Sequence, residues 1–500
     1  MTNELERAER NVEAQSAPLR RELGLRDLVL TQIVFVVGTS WVGAAAKLGQ
    51  SHLVFWLLAI ALFYIPQAAV VIFLNRLMPL EGGLYQWAKF GFNEFIGFLV
   101  AWNLWLLAIS VMALSGLVVT TNLAYSLGTG ASWMQENKLV VSAISSLLFV
   151  GLITLSIRGL SLGKWLHNAS GLIMMLTYGA LVLLPFLALA RGELKSYRPL
   201  ELVFPTLTVF SLNIFSKMAV GAMSGFEYVA ILAGETRSPA RNIGLSVLIA
   251  APIIALMFIL GTSSVLAFTA GREIDLIGPV PQTLSIGFHS WPIVGTIVSA
   301  AIFLLASRAV ALISIYLTAT SRLPMVASWD SLLPPWFTRL HARYRTPANS
   351  ILFVGAVTLA FSIACLIGSG AQEAFQVVDN AATVFYGIAY VFLFAIPIFG
   401  AREIRRSASP WLRLTAFSGL AVSLLAIYFT VFPIIEVGSR LIFAIKIIAV
   451  AVIGNAVGAA IYAMRSPRQL DARAHRHAHE GSAAQTETPG EILRPADPDA

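Results

Sequence analysis

Two glycine-punctuated stretches of this 500-residue chain place polar groups inside hydrocarbon runs. The first is Gly38-Thr39-Ser40-Trp41-Val42-Gly43. The second begins one turn after Lys217 and reads Gly221-Ala222-Met223-Ser224-Gly225-Phe226-Glu227. An ionisable side chain at bilayer depth is costly and faces a polar cavity or a partner. Glycine beside it interrupts the helix and frees backbone groups. Freed N–H groups at the positive end of a half-helix hold an anion, and freed carbonyls at the other end hold a cation. A zwitterion presents both charges. The spacing therefore predicts a site in which Thr39, Ser40 and Gly43 face a carboxylate. Met223, Ser224 and Gly225 offer carbonyls to an ammonium, and Trp41 and Phe226 belong to the same site. The alternative is that these glycines only allow close helix packing.

The remaining buried charges have two readings each. Glu227 either carries a proton between states or supports the helix break by accepting hydrogen bonds from it. Lys217 and Arg308 lie within apolar runs; they pair with carboxylates such as Glu227 or Asp379, or face the cavity. If both faced it unpaired, an acidic substrate would follow. Ser299, Ser307, Ser314 and Ser321 keep one face of the eighth run small and polar. That face lines a pathway, supplies hydroxyls to a sodium ion, or packs against a neighbouring helix. Asp379 and Asn380 are expected at the outer start of the tenth run, as a gate or as partners of helix ends. Glu81 and Glu235, with Arg237, are candidates for an inner gate, while Trp102 and Asn103 are weaker pocket candidates.

The elements that must position these groups are membrane helices. Hydrophobic residues make up 57% of the chain and charged residues 12%, against roughly 25% charged in soluble domains. Twelve apolar runs, each long enough to span a bilayer, are expected at 28–48, 53–77, 91–124, 138–157, 165–190, 206–234, 243–268, 291–321, 349–369, 374–399, 411–432 and 440–464. Their length argues against a β-barrel. The net charge of +8 does not mark a nucleic-acid binder, because arginines and lysines collect in alternate connections. By the positive-inside rule this puts both termini in the cytoplasm and the chain in the inner (plasma) membrane as a multi-pass protein. Residues 1–26 are polar, and the first run is expected to be an uncleaved anchor. Residues 465–500, with His475, His477 and His479, read as a disordered tail. The lone Cys365 excludes an intramolecular disulfide and is expected to be an inert thiol.

The glycine breaks fall at matching places in runs one and six. Groups of five helices, 1–5 and 6–10, would then have opposite orientations, which is the pattern of an inverted-repeat transporter.

Three features resemble the amino acid–polyamine–organocation (APC) superfamily of secondary transporters. They are Gly225-Phe226-Glu227 followed by Gly234-Glu235-Thr236, Pro239 and Arg241; the loop Pro79-Leu80-Glu81-Gly82-Gly83-Leu84-Tyr85; and the layout of twelve spans with interrupted helices 1 and 6. The resemblance implies an all-α integral membrane fold with a five-plus-five inverted-repeat core over residues 27–400 and peripheral helices 11 and 12 over 401–464. It also implies amino acids or related amines as substrates, driven by protons, by sodium or by exchange. The chain departs from the family at Trp41, where a small residue is common, and at Gly244, where proline is common. Met174 stands where many proton-coupled members have a lysine, and Arg308 is a candidate replacement for that charge. Together these readings give a transporter of amino acids or amines working by alternating access. They imply no metal or cofactor beyond a coupling H+ or Na+, no nucleic-acid partner, and no particular oligomeric state. The alternatives are a sodium-coupled symporter of another small solute, a channel, or an integral-membrane enzyme.

Overall fold

The computed structural model describes residues 10, 12–19, 21–158, 160–289, 292–329, 332–365 and 371–464. The C-terminal tail with its three histidines and the side chain of Cys365 lie outside the described residues. Within them every element is helical and no strand forms. That is the arrangement an apolar chain needs in lipid, where each backbone group must be satisfied within its own segment.

Nine of the described helices are long and apolar enough to cross a membrane, and a bent pair makes a tenth. The pair is α1 (Leu25–Val36) and α2 (Thr39–Ala46), which meet at 44°. Val37 and Gly38 between them are extended, with ψ of 91° and 132°. The sixth run, expected as one span over 206–234, is likewise divided. Its first part is α4 (Val209–Ser216), continued by a π-helical turn, Lys217–Ala222. The chain then unwinds and resumes as α5 (Tyr228–Ile231). Gly225 makes this turn possible. Its φ of 131° is one that L side chains rarely adopt, and a Cβ there would lie 2.6 Å from the Phe35 ring.

Three long helices surround the two breaks: α3 (Glu94–Leu127), α6 (Pro292–Trp329) and α7 (Ala371–Phe399). α3 packs along both α6 and α7. Two boundaries differ from expectation. α6 continues past 321 to Trp329, because Arg322 is buried inside the bundle rather than ending the helix. α7 begins at Ala371, so Asp379 and Asn380 lie two turns inside it and not at its start. One continuous apolar core joins these elements. Large apolar side chains such as Leu139, Leu147, Trp411 and Leu441 point outward, as a lipid-facing surface requires.

Candidate functional site

The two breaks face one another across a cavity of about 110 Å³. One water needs roughly 10–15 Å³ by this kind of measure, so the space suits a small solute. From the first break the wall takes Gly38, Thr39, Ser40 and Trp41; from the second it takes Gly221 and Ser224. α3 contributes Leu107, Val111, Leu114, Ser115 and Val118, one stripe at helical spacing. α6 contributes Arg308, Leu312 and Tyr316, and α7 contributes Asp379, Thr383 and Tyr386. The first N–H groups of α2 have no intrahelical partner, and the residues that carry them, Thr39, Ser40 and Trp41, line this space.

Several residues expected at the site sit behind it. A Cβ on Gly43 would meet the Pro279 ring at 2.7 Å, so this glycine serves helix packing. Met223 and Phe226 are fully buried, and Phe226 packs on Tyr64 with ring centroids 4.9 Å apart. Gly225 points toward Phe35 and Val36. Trp102 and Asn103 face the last helix, donating to the Gly454 carbonyl (2.8 Å) and to Asn455 Oδ1 (2.7 Å). The face of α3 that meets the cavity starts one turn later.

Glu227 is fully buried and also outside the cavity wall. Its Oε1 accepts from the Tyr386 hydroxyl (2.5 Å), and its Oε2 accepts from Gln67 Nε2 (3.2 Å) and from the Tyr390 hydroxyl. Tyr390 Oη in turn accepts the freed N–H of Gly225 at 3.0 Å. The carboxylate thus reaches the broken helix through a tyrosine, with two phenols and an amide fixing both its oxygens.

Lys217 does not face the cavity. Its ammonium donates to Asn380 Oδ1 and lies 3.5 Å from Asp379 Oδ2, so the first half of the sixth run is tied to α7. Arg308 does line the cavity, but among the described residues it forms no ion pair with Glu227 or Asp379. Its Nη2 donates to the carbonyls of Val37 (2.7 Å) and Val34 (3.4 Å), the last turn of α1. A cation at the carbonyl end of a helix is the favourable arrangement. The serine face of α6 is a packing face. Ser307 and Ser321 donate to carbonyls of their own helix, and the Ser299 carbonyl accepts from Ser126.

Toward the N-terminal segment the cavity is closed by two layers. Phe35, Tyr228 and Tyr316 form the first, with ring centroids 4.4, 4.7 and 5.3 Å apart. The second is polar. Glu235 Oε1 accepts from Arg322 Nη2 at 2.6 Å, with both side chains buried. Glu81 Oε2 accepts the Gly234 N–H at 2.7 Å. Arg322, not Arg237, is therefore the partner of Glu235; Arg237 instead donates to the Arg21 carbonyl. Two buried carboxylates lie in the field of this one guanidinium, and of the two only Glu235 is bonded to it. Glu81 lies in the connection before Leu84, outside the spans. Burial pushes its carboxyl well above the usual carboxylate range, and the charge of Glu235 adds to this; Arg322 and the Gly234 N–H oppose it. Main-chain bonds complete the layer. The N–H groups of Glu22 and Leu23 donate to the Glu235 carbonyl, and Arg237 N–H donates to the Leu23 carbonyl (3.0, 3.1 and 2.9 Å).

Sequence reading missed Phe35, Tyr316, Tyr386 and Arg322 as residues of the site or its seal. The aromatics look like ordinary core positions. A signal was available for Arg322: it falls fourteen residues, four helical turns, after Arg308, on the same helix face.

Comparison with known proteins agrees with this layout. A family model described as amino acid permease matches residues 28–454. An uncharacterized transporter of Legionella pneumophila is 22% identical over 387 residues, covering 76% of this chain and 81% of its own. The branched-chain amino acid permease BcaP of Bacillus subtilis is 24% identical over 400 residues, covering 73% and 81%. The crystal structure of MhsT in complex with L-phenylalanine matches with a TM-score of 0.60. It is 15% identical and covers 82% of this chain and 98% of that one, a likeness of fold.

Proposed function

The chain belongs to the amino acid permease family, and from that premise we propose that it carries amino acids or related amines across the inner membrane by alternating access. It is a multi-pass membrane transporter rather than an enzyme. The observation that carries the mechanism is that one cavity is lined by both helix breaks at once. A substrate carboxylate sits against the free N–H groups at the start of α2. Its ammonium sits against the carbonyl end of the Lys217–Ala222 turn, with Asp379 in the wall nearby. Thr39, Ser40, Trp41, Gly221 and Ser224 are the contact residues. Gly43, Met223, Gly225 and Phe226 shape the breaks from behind, and Glu227 holds the second break.

Nine long helices, one bent pair and the two shorter apolar helices Val209–Ala222 and Ala348–Ile363 support a twelve-span arrangement. Breaks in the first and sixth runs support an inverted-repeat core over 27–400, with 401–464 peripheral. Both termini are cytoplasmic in this reading, so the Glu81–Glu235–Arg322 layer is the inner gate. The carbonyl end of α1, where a coupling cation would bind in such transporters, is occupied by the Arg308 guanidinium. That favours proton-driven transport or exchange over sodium coupling.

The test is uptake of a labelled amino-acid and amine panel into proteoliposomes. It is run with and without an inward proton gradient, with internal counter-substrate, and with sodium replaced by choline. Saturable uptake that is indifferent to sodium is expected. Uptake that collapses in choline would reject the role given to Arg308, and no uptake of any amino acid or amine would reject the transport reading.

A further inference from the structure

The Trp41 indole in the cavity wall spans from one helix break to the other. An ideal Cβ on Gly38 would fall 2.3 Å from Cδ1 and 2.5 Å from Nε1 of the indole. One on Gly221 would fall 2.6 Å from Cη2 and 2.8 Å from Cζ3. The five-membered edge of the ring therefore rests on the first helix break and the six-membered edge on the second. Each glycine leaves the room of one methyl group, and the indole fills both. A Cβ at either position meets a rigid ring held in contact, so one of the two must move.

This ring occupies the space between the same backbone groups that hold the two ends of a zwitterion. The rest of the wall toward α3 and α6 is mostly apolar, with Leu107, Val111, Leu114 and Leu312, and carries Ser115, Arg308 and Tyr316 besides. The charges beside it are already engaged: Arg308 by the α1 carbonyls, and Asp379 by Lys217. Neither charge is free to pair fully with a charged side chain, although Arg308 Nε itself has no hydrogen-bond partner among the described residues.

We infer that Trp41, seated on Gly221, is the size-setting residue of the site, and that it restricts the substrate to neutral amino acids with short side chains. This rests on the transport reading above and narrows it to a substrate class. Trp41 is also a substrate contact, so its removal enlarges the site and the readout is the ratio between competitors rather than the absolute rate of uptake.

The experiment is competition for labelled alanine uptake in proteoliposomes by unlabelled alanine, leucine and phenylalanine. It uses the full chain and the variants Trp41→Ala, Trp41→Phe, Gly221→Ala and Gly221→Ala/Trp41→Ala. In the parent protein, leucine and phenylalanine should compete poorly. Trp41→Ala should shift the leucine-to-alanine ratio of half-inhibitory concentrations toward leucine by at least about tenfold, as a change of this kind in an apolar pocket does. Trp41→Phe should shift it less. Gly221→Ala should depress alanine uptake by driving the indole inward, and Trp41→Ala in the same chain should restore it. The inference is overturned if the parent takes phenylalanine as readily as alanine, or if both Trp41 variants keep the parental ratio while folding normally. Failure of Trp41→Ala to rescue Gly221→Ala would also overturn it. A parent that moves no amino acid or amine would instead bring down the transport reading, and this inference with it.

Discussion

Arg322→Met tests the inner gate most directly. The guanidinium is buried against Glu235, with side-chain exposures of 1% and 4%, and Glu81 lies in the same cluster. Removing one partner of a buried pair costs roughly 3–5 kcal/mol because the other charge is left uncompensated. Here the charge of Glu235 is left, beside a Glu81 carboxyl already held high, so the whole of that range applies to the closed gate. An open gate hydrates them and avoids the cost. At 1.36 kcal/mol per tenfold, the closed-to-open ratio should fall by about two-hundred- to four-thousand-fold. Glu235→Gln should behave differently. Without the charge of Glu235, which helps to raise the Glu81 carboxyl, Glu81 ionises more readily as counter-charge to Arg322, and the glutamine oxygen still accepts a hydrogen bond. The loss is then about 1 kcal/mol, the difference between a charge-assisted and a neutral hydrogen bond, or about fivefold. The reporter is Leu23→Cys in a Cys365→Ser background. Leu23 is 4% exposed and bonded through its backbone to Glu235 and Arg237, so its labelling by an impermeant maleimide follows gate opening. Labelling from the cytoplasmic face should be far faster in Arg322→Met than in Glu235→Gln. The double variant Arg322→Met/Glu235→Gln should recover part of the difference. Equal rates in the two single variants, with the protein monodisperse and folded, would refute this account of the gate.

Three further outcomes are expected. Glu227→Gln should leave the pH profile of uptake unchanged, since the carboxylate supports the break and does not line the cavity; a flattened profile would make it the proton carrier. Gly225→Ala should lower the thermal unfolding midpoint, because the residue sits at φ 131° and its Cβ would meet Phe35 at 2.6 Å. A strained backbone residue costs about 1–3 kcal/mol before any clash is counted, so an unchanged midpoint would contradict the geometry. Glu81 has a carboxyl raised in the closed gate relative to water, so the closed gate binds its proton more tightly. Closure is therefore favoured below that raised range and lost as pH rises through it. Leu23→Cys labelling, corrected for thiol ionisation, should rise with pH in the parent and become flat in Glu81→Gln.

The sequence made the membrane helices and both breaks legible for a simple physical reason. A twenty-residue apolar run has few other fates, and glycine clusters inside one stand out. Thr39, Ser40, Trp41 and Ser224 lie on the breaks themselves and line the cavity. The assignments that missed depended on which way a side chain turns. Asp379 looked like a helix start because Ala371–Gln376 is amphipathic and broke the hydropathy pattern two turns early. Arg308 had two readings, a carboxylate partner or the cavity; it lines the cavity, and the open carbonyl end of α1 is a further partner that composition does not reveal. Arg237 follows Glu235 closely in sequence, but the carboxylate turns inward to Arg322, eighty-seven residues away. In each case the neighbour that won was set by packing of distant helices.

The main-chain link between Glu22–Leu23 and Glu235–Arg237 gives the molecule a clock. Its three amide hydrogens are shielded only while the segment before α1 stays docked. Every excursion that frees the segment exposes them to exchange with deuterium, whatever side chains surround them. Where intrinsic exchange outpaces reclosing, their exchange rate is a count of inner-gate openings per second, in a protein with no label attached and no substrate required. Comparing that count with the turnover number separates cycles that carry cargo from cycles that run empty.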